Sequence, residues 1–136
     1  MKSIIFNQTG SVSGSDLANV AIVVGGTSYP AVLSADGKYY SATFGSGVVI
    51  AKGNQVEVYV QYDIVGSNST NRTVIFDVDK TTDIYGTGET YGYGVSPTTA
   101  GGSSVPTTRT SQNTVETTGT PYIYATQVTV SGASIT

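Results

Sequence analysis

Apolar and polar residues alternate with a period of two along much of the chain, the mark of strands with one face turned to a core. The clearest run is residues 55–64. Val56, Val58, Val60, Tyr62 and Ile64 fall on one side of it, and Glu57, Tyr59, Gln61 and Asp63 on the other. Residues 72–79 repeat the pattern, with Val74, Phe76 and Val78 set toward the core and Thr73, Ile75, Asp77 and Asp79 set outward. The polar stretch 66–71 between these two strands predicts a hairpin. Further strands are predicted over residues 2–8, 17–24, 27–33, 38–44, 48–51 and 122–130, each bounded by Gly, Asn, Asp or Ser. Gly25-Gly26 and Asp36-Gly37 read as turns, because the central positions of tight hairpins favour residues that tolerate φ > 0. No segment carries the 3.6-residue spacing of an amphipathic helix; a plausible cap at Asp16 runs straight into β-branched residues. The pattern predicts an all-β chain, an immunoglobulin-like antiparallel β-sandwich with Greek-key connections, and leaves a barrel as the other way to close such a sheet.

The alternation stops near Pro97. Residues 98–120 are dominated by Thr, Ser and Gly, with Arg109 and Glu116 as the only charges. Such a segment offers too little apolar surface to offset its ordering entropy, so it reads as a loop or linker. Alternation resumes with Tyr122, Tyr124, Thr126, Val128 and Val130 on one face. The chain therefore divides into a β-sandwich core over 1–97, a polar arm over 98–120 and a terminal strand over 121–136. That strand completes either its own sheet or, by strand exchange, the sheet of a neighbouring copy.

Residues 2–97 resemble a repeated immunoglobulin-like module of large bacterial cell-surface proteins, seen especially in candidate phyla. The resemblance rests on Ile4-Ile5-Phe6-Asn7-Gln8-Thr9-Gly10, on Asp16-Leu17-Ala18-Asn19-Val20 and on Val48-Val49-Ile50-Ala51-Lys52-Gly53. Val60-Gln61-Tyr62-Asp63-Ile64 and Arg72-Thr73-Val74-Ile75-Phe76 extend it. It implies a structural or adhesive role in a surface layer or filament, with copies of itself or neighbouring modules as partners.

Composition narrows the function classes. Charged residues make up 11% of the 136, and the formal net charge is −3 from 6 basic and 9 acidic residues, with no block of either sign. Nucleic acid is accordingly not an expected partner. The chain contains no Cys and no His, which removes the commonest nucleophile–base pairs and soft metal ligands and points away from an enzyme. No apolar run approaches the ~20 residues of a membrane helix, so membrane insertion is not expected. Met1-Lys2 opens no signal-like stretch, which suggests a segment of a longer secreted protein or another route out of the cell. The low charge and the wealth of hydroxyl side chains fit an extracellular or cell-surface location.

Four groups of residues are candidates for chemistry. Asp77, Asp79 and Asp83 fall within seven residues and could offer oxygens to calcium, the one cofactor the sequence suggests; solvated turn acids are the competing reading. Asn7, Asn68 and Asn71 each open an N-x-Ser/Thr glycosylation pattern. Tyr85, Tyr91 and Tyr93 alternate with glycines, a pattern that suits exposed rings stacking on glycans or a protein partner, or else an edge strand whose rings cover the core. Lys2 could enter a Lys–Asn crosslink. The leading function is a structural or adhesive module that assembles with copies of itself. The alternatives are a carbohydrate- or protein-binding module and a viral decoration or tail protein.

Overall fold

The computed structural model describes residues 1–65, 72–95, 97 and 127–129. The described residues form two antiparallel sheets, with helix confined to single 3-10 turns at Gly14–Asp16 and Thr81–Asp83. In chain order the strands are β1 (Ser3–Thr9), β2 (Leu17–Val24), β3 (Thr27–Pro30), β4 (Val32–Leu33), β5 (Tyr39–Thr43), β6 (Val58–Ile64), β7 (Thr73–Asp77), β8 (Ile84–Tyr85) and β9 (Gln127–Thr129). One sheet runs β4-β5-β1-β7-β9, with β8 also paired to β1. The other runs β3-β2-β6.

β1 is the spine of the larger sheet. Along one side it holds β5, from Ser3↔Thr43 to Asn7↔Tyr39. Along the other it holds β8 at Ser3 and Ile4, then β7 from Asn7 to Thr9. The chain leaves β1 at Asp77 and returns at Ile84, so residues 78–83 form a detour on this side. Gly10, at φ 99°, ends β1 under β7; a Cβ here would lie 2.1 Å from the Thr73 carbonyl oxygen. The same carbonyl accepts the Val12 amide at 3.1 Å, which draws Val12 into the core. Gly25 and Gly26, at φ 55° and 82°, make the two-residue turn that pairs Val24 with Thr27.

The apolar faces of both sheets share one core. Ile4 and Phe6 of β1, Tyr40 and Ala42 of β5 and Val74 and Phe76 of β7 meet Ile22 and Val24 of β2. Phe76 contacts Tyr40 within its own sheet, with ring centroids 5.6 Å apart, and Tyr62 of β6 in the opposite sheet at 5.4 Å. Tyr29 of β3 packs edge-on against Phe44 at 4.7 Å and makes a second link between the sheets. Burial of each such side chain contributes about 1.5–3 kcal/mol, so the shared core outweighs any single edge contact.

Several expectations are corrected by this arrangement. β6 and β7 are not a hairpin: β6 pairs with β2 and β7 with β1, because each turns its apolar face to the core and Tyr62 meets Phe76 across it. The stretch 27–33 is two strands. β3 stays beside β2, the Ala31 amide donates to the Val20 carbonyl at 2.9 Å, and β4 then joins the other sheet beside β5. Residues 48–51 make no strand; Val48 exchanges backbone hydrogen bonds with Met1, while Val49 and Ile50 face solvent. Asp77 and Asp79, expected on the outer face, are buried: Asp77 ends β7 opposite Asn7, where both residues are covered, and Asp79 lies in the detour, where strand alternation no longer holds. Of the terminal segment, residues 127–129 pair with β7 from Thr73↔Thr129 to Ile75↔Gln127. The arm 98–120 lies outside the described residues.

Candidate functional site

A cleft opens at the end of the molecule where β1 begins. The segment between β5 and β6 forms one wall, and the loop that follows β8 forms the other. The cleft has a volume of about 1150 Å³ and an apolar floor of Ile4, Phe6, Val56, Val58 and Ile84. Lys2 and Glu89 are charged side chains at its lining. Lys2 Nζ donates to the Ser46 carbonyl at 2.9 Å, and the N-terminal ammonium donates to the Val48 carbonyl at 2.6 Å. Lys2, the crosslink candidate, is thus bonded to a backbone carbonyl. An apolar trough with tethered cations suits an extended chain or an apolar ligand better than a bond-breaking step, which requires groups poised to move protons.

The loop beyond β8 is a small hairpin. Its ends are tied by the Val95 amide to Gly86 and the Gly88 amide to Tyr93, and its tip by the Gly92 amide to Gly88. It holds Tyr91 and Tyr93 out in solvent at 81% and 77% exposure, and Tyr85 at its base is 53% exposed. These rings are exposed and do not cover the core. Gly86, Gly88 and Gly92 line the cleft, so the tyrosines stand beside its mouth.

The acids sit differently. Asp77 at the end of β7, and Asp79 and Asp83 in the detour that follows, are buried at 0%, 8% and 8% exposure, which corrects the reading of solvated turn acids. They do not converge on a cation: among the described residues no group of three or more carboxylates forms. Asp79 Oδ1 is buried with no hydrogen-bond partner among the described residues. The Asp83 carboxylate accepts the Lys80 amide at 2.9 Å. Burial raises its pKa above the ordinary 3.8, against backbone hydrogen bonds from Lys80 and Asp79 and the nearby Lys80 charge.

A further charged site was not foreseen. Asp16 Oδ2 accepts the Ser13 amide at 2.9 Å, the Ser13 hydroxyl at 3.0 Å and Arg72 at 2.6 Å. The bond from the Ser13 amide is the main reason its pKa lies below 3.8; burial opposes the shift, and the Ser13 hydroxyl and Arg72 reinforce it. Arg72 and Asp16 are 56 positions apart, and only the N-cap pattern of Ser13 and Asp16 could have hinted at the carboxylate's role. Of the glycosylation candidates, Asn7 is buried in the middle of β1, where a folded chain leaves no room for a sugar. Asn68 and Asn71 lie outside the described residues.

No protein-family model, no curated protein and no solved structure matches the chain.

The two shifted acids give pH effects of opposite sign. Asp16, lowered when folded, contributes stability that is present above the ordinary carboxylate value and lost as pH falls through its folded pKa. Asp83, raised when folded, contributes stability that is present below that value and lost as pH rises through its folded pKa. Urea midpoints measured from acid to neutral pH should show Asp16→Asn falling further below the parent as pH rises. Asp83→Asn should gain on the parent over the same range. Curves that stay parallel for all three proteins would contradict the assignments.

Proposed function

We propose that the chain is a non-catalytic structural module of an extracellular or cell-surface assembly. In this reading it is an immunoglobulin-like sandwich with Greek-key connections that joins copies of itself through sheet edges. The fold part is supported by β1 pairing with β5 and β2 with β6, long-range pairings of a chain that alternates between two sheets. The functional part rests on β9. Its three residues come from far along the chain and sit at the outer edge of the larger sheet, paired with β7.

The core described above is assembled from residues 1–84, so β7 would offer the same backbone bonds to an equivalent strand from a neighbour. The Thr/Ser/Gly-rich composition of 98–120 supplies the reach for that exchange, in which a neighbour's strand takes the place of the chain's own beside β7. The hydroxyl-rich, charge-poor composition supports a place outside the cell, and the absence of His and Cys supports a role without chemistry.

Removal of residues 122–136 should leave a folded chain with a lower urea midpoint whose assemblies are smaller, by size-exclusion chromatography and electron microscopy. An assembly of unchanged size after that deletion would overturn the exchange model.

The exposure of Tyr85, Tyr91 and Tyr93 favours a second reading, a module that grips glycans or a protein partner. Tyr91→Ala and Tyr93→Ala should then each abolish binding to a glycan array without lowering thermal stability. An array on which the parent protein binds nothing would remove the glycan version.

A further inference from the structure

The smaller sheet ends in an open edge. Among the described residues β6 pairs with β2 on one side and with no strand on the other. The Glu57 carbonyl accepts the Gly25 amide at 2.9 Å, and the Val65 amide donates to the Asp16 carbonyl at 2.8 Å. These two bonds bracket the strand and set its phase. The backbone groups of odd-numbered residues point to β2, and those of Val58, Val60, Tyr62 and Ile64 point to the open edge.

Features that usually blunt an edge are missing here. β6 has seven residues with no Pro, Lys or Arg. The bulge in its pairing with β2 adds its extra residue between Ala18 and Ala21 of β2, so β6 itself stays regular. Its inward side chains are only partly buried, whereas Val74 and Phe76 of β7 are fully buried at 0% and 3% exposure. One more strand would cover them.

We infer that this edge docks against the β6 edge of a second copy of this chain, antiparallel about a two-fold axis, joining two three-stranded sheets into one of six. Which residues oppose one another follows from the faces and the charges. Inward residues must oppose inward residues, so the axis passes beside one residue position. An axis at Val60 sets Glu57 against Asp63 of the other copy, twice, and like charges directly opposed are destabilising. An axis at Gln61 sets Gln61 against Gln61 and Tyr59 against Asp63, and opposes no like charges. It also aligns Val58 with Ile64 and Val60 with Tyr62, twice each, for about eight backbone hydrogen bonds, against about six in the other register. Charge and bond count select the same register.

This contact deepens the self-assembly reading and rests on it. It uses a different edge from β9: the two-fold β6 contact alone closes at a pair, and together with strand exchange it can string copies into a polymer.

The test is analytical ultracentrifugation of the full chain over a concentration series. Gln61 is on the exposed face, so its substitution leaves the fold in place. Gln61→Glu alone and Gln61→Lys alone should each weaken self-association, roughly two- to fivefold per opposed pair. An equimolar mixture of the two should restore or exceed the parent's association, because only a register with residue 61 opposite itself brings the new charges together. Val60→Pro removes an amide that points away from β2, and should abolish this contact, leaving species no larger than strand exchange alone gives, with a parent-like circular dichroism spectrum.

A parent that sediments as a monomer throughout, or a charge-swapped mixture no tighter than its components, overturns the proposal. An oligomer unaffected by Val60→Pro, with a chain merely less stable, also overturns it and places a segment of the same chain on this edge. Loss of assembly on deleting residues 122–136, with the Gln61 variants without effect, would leave strand exchange standing and this contact refuted.

Discussion

The fold depends on one aromatic contact between layers. Phe76 of β7 is buried against Tyr40 of its own sheet and Tyr62 of the other. Without it the two sheets would be joined through Tyr29 and Phe44 and the aliphatic residues of β1 and β2. Aromatic pairs of this geometry contribute about 0.5–1.5 kcal/mol beyond the area they bury, and this ring makes two of them. It also explains why β6 and β7 cannot be neighbours: a ring that reaches across the core cannot also lie side by side with its partner in one sheet.

Where the chain fails to pair, the features that call for a function gather. β7 leaves β1 after three residue pairs, Asp77 at its end and Asp79 and Asp83 in the detour are buried, and the following hairpin carries Tyr91 and Tyr93 into solvent. The cleft opens beside that hairpin over Ile4, Phe6 and Val58. Among the described residues the smaller sheet stops at β6 while the larger continues through β7 to β9. An open strand edge can accept a further strand, which is the physical ground for the proposal that the chain is a building unit.

Local rules carried the sequence reading a long way. Alternation placed β2 and β6 and assigned the faces of β6, and the glycine pair at 25–26 located the β2–β3 turn, because strand faces and tight turns are decided by a few adjacent residues. Neighbour choice is not local. Nothing in residues 55–79 says that the second strand crosses to the other sheet, nor that residues 27–33 divide at Ala31. Asp79 was misplaced by extending a strand's alternation beyond its end at Asp77, and Asp77 because the fold covers the outer face of β7 where it lies opposite Asn7. The pairing of Asp16 with Arg72 needed the fold to bring the two together. The exposed tyrosines were legible as a candidate because glycines flank them, but their exposure was a property of the hairpin.

The claim that most else rests on is that both sheets are one cooperative unit held by the Phe76 contact. Native-state hydrogen exchange under increasing denaturant measures this directly. The slowest amides of β2 and β6 and those of β1 and β7 should converge on one opening free energy, equal to that of global unfolding. A lower, separate free energy for β2 and β6, with β1 and β7 still protected, would mean that the smaller sheet opens on its own and that the shared core is not what holds the molecule together.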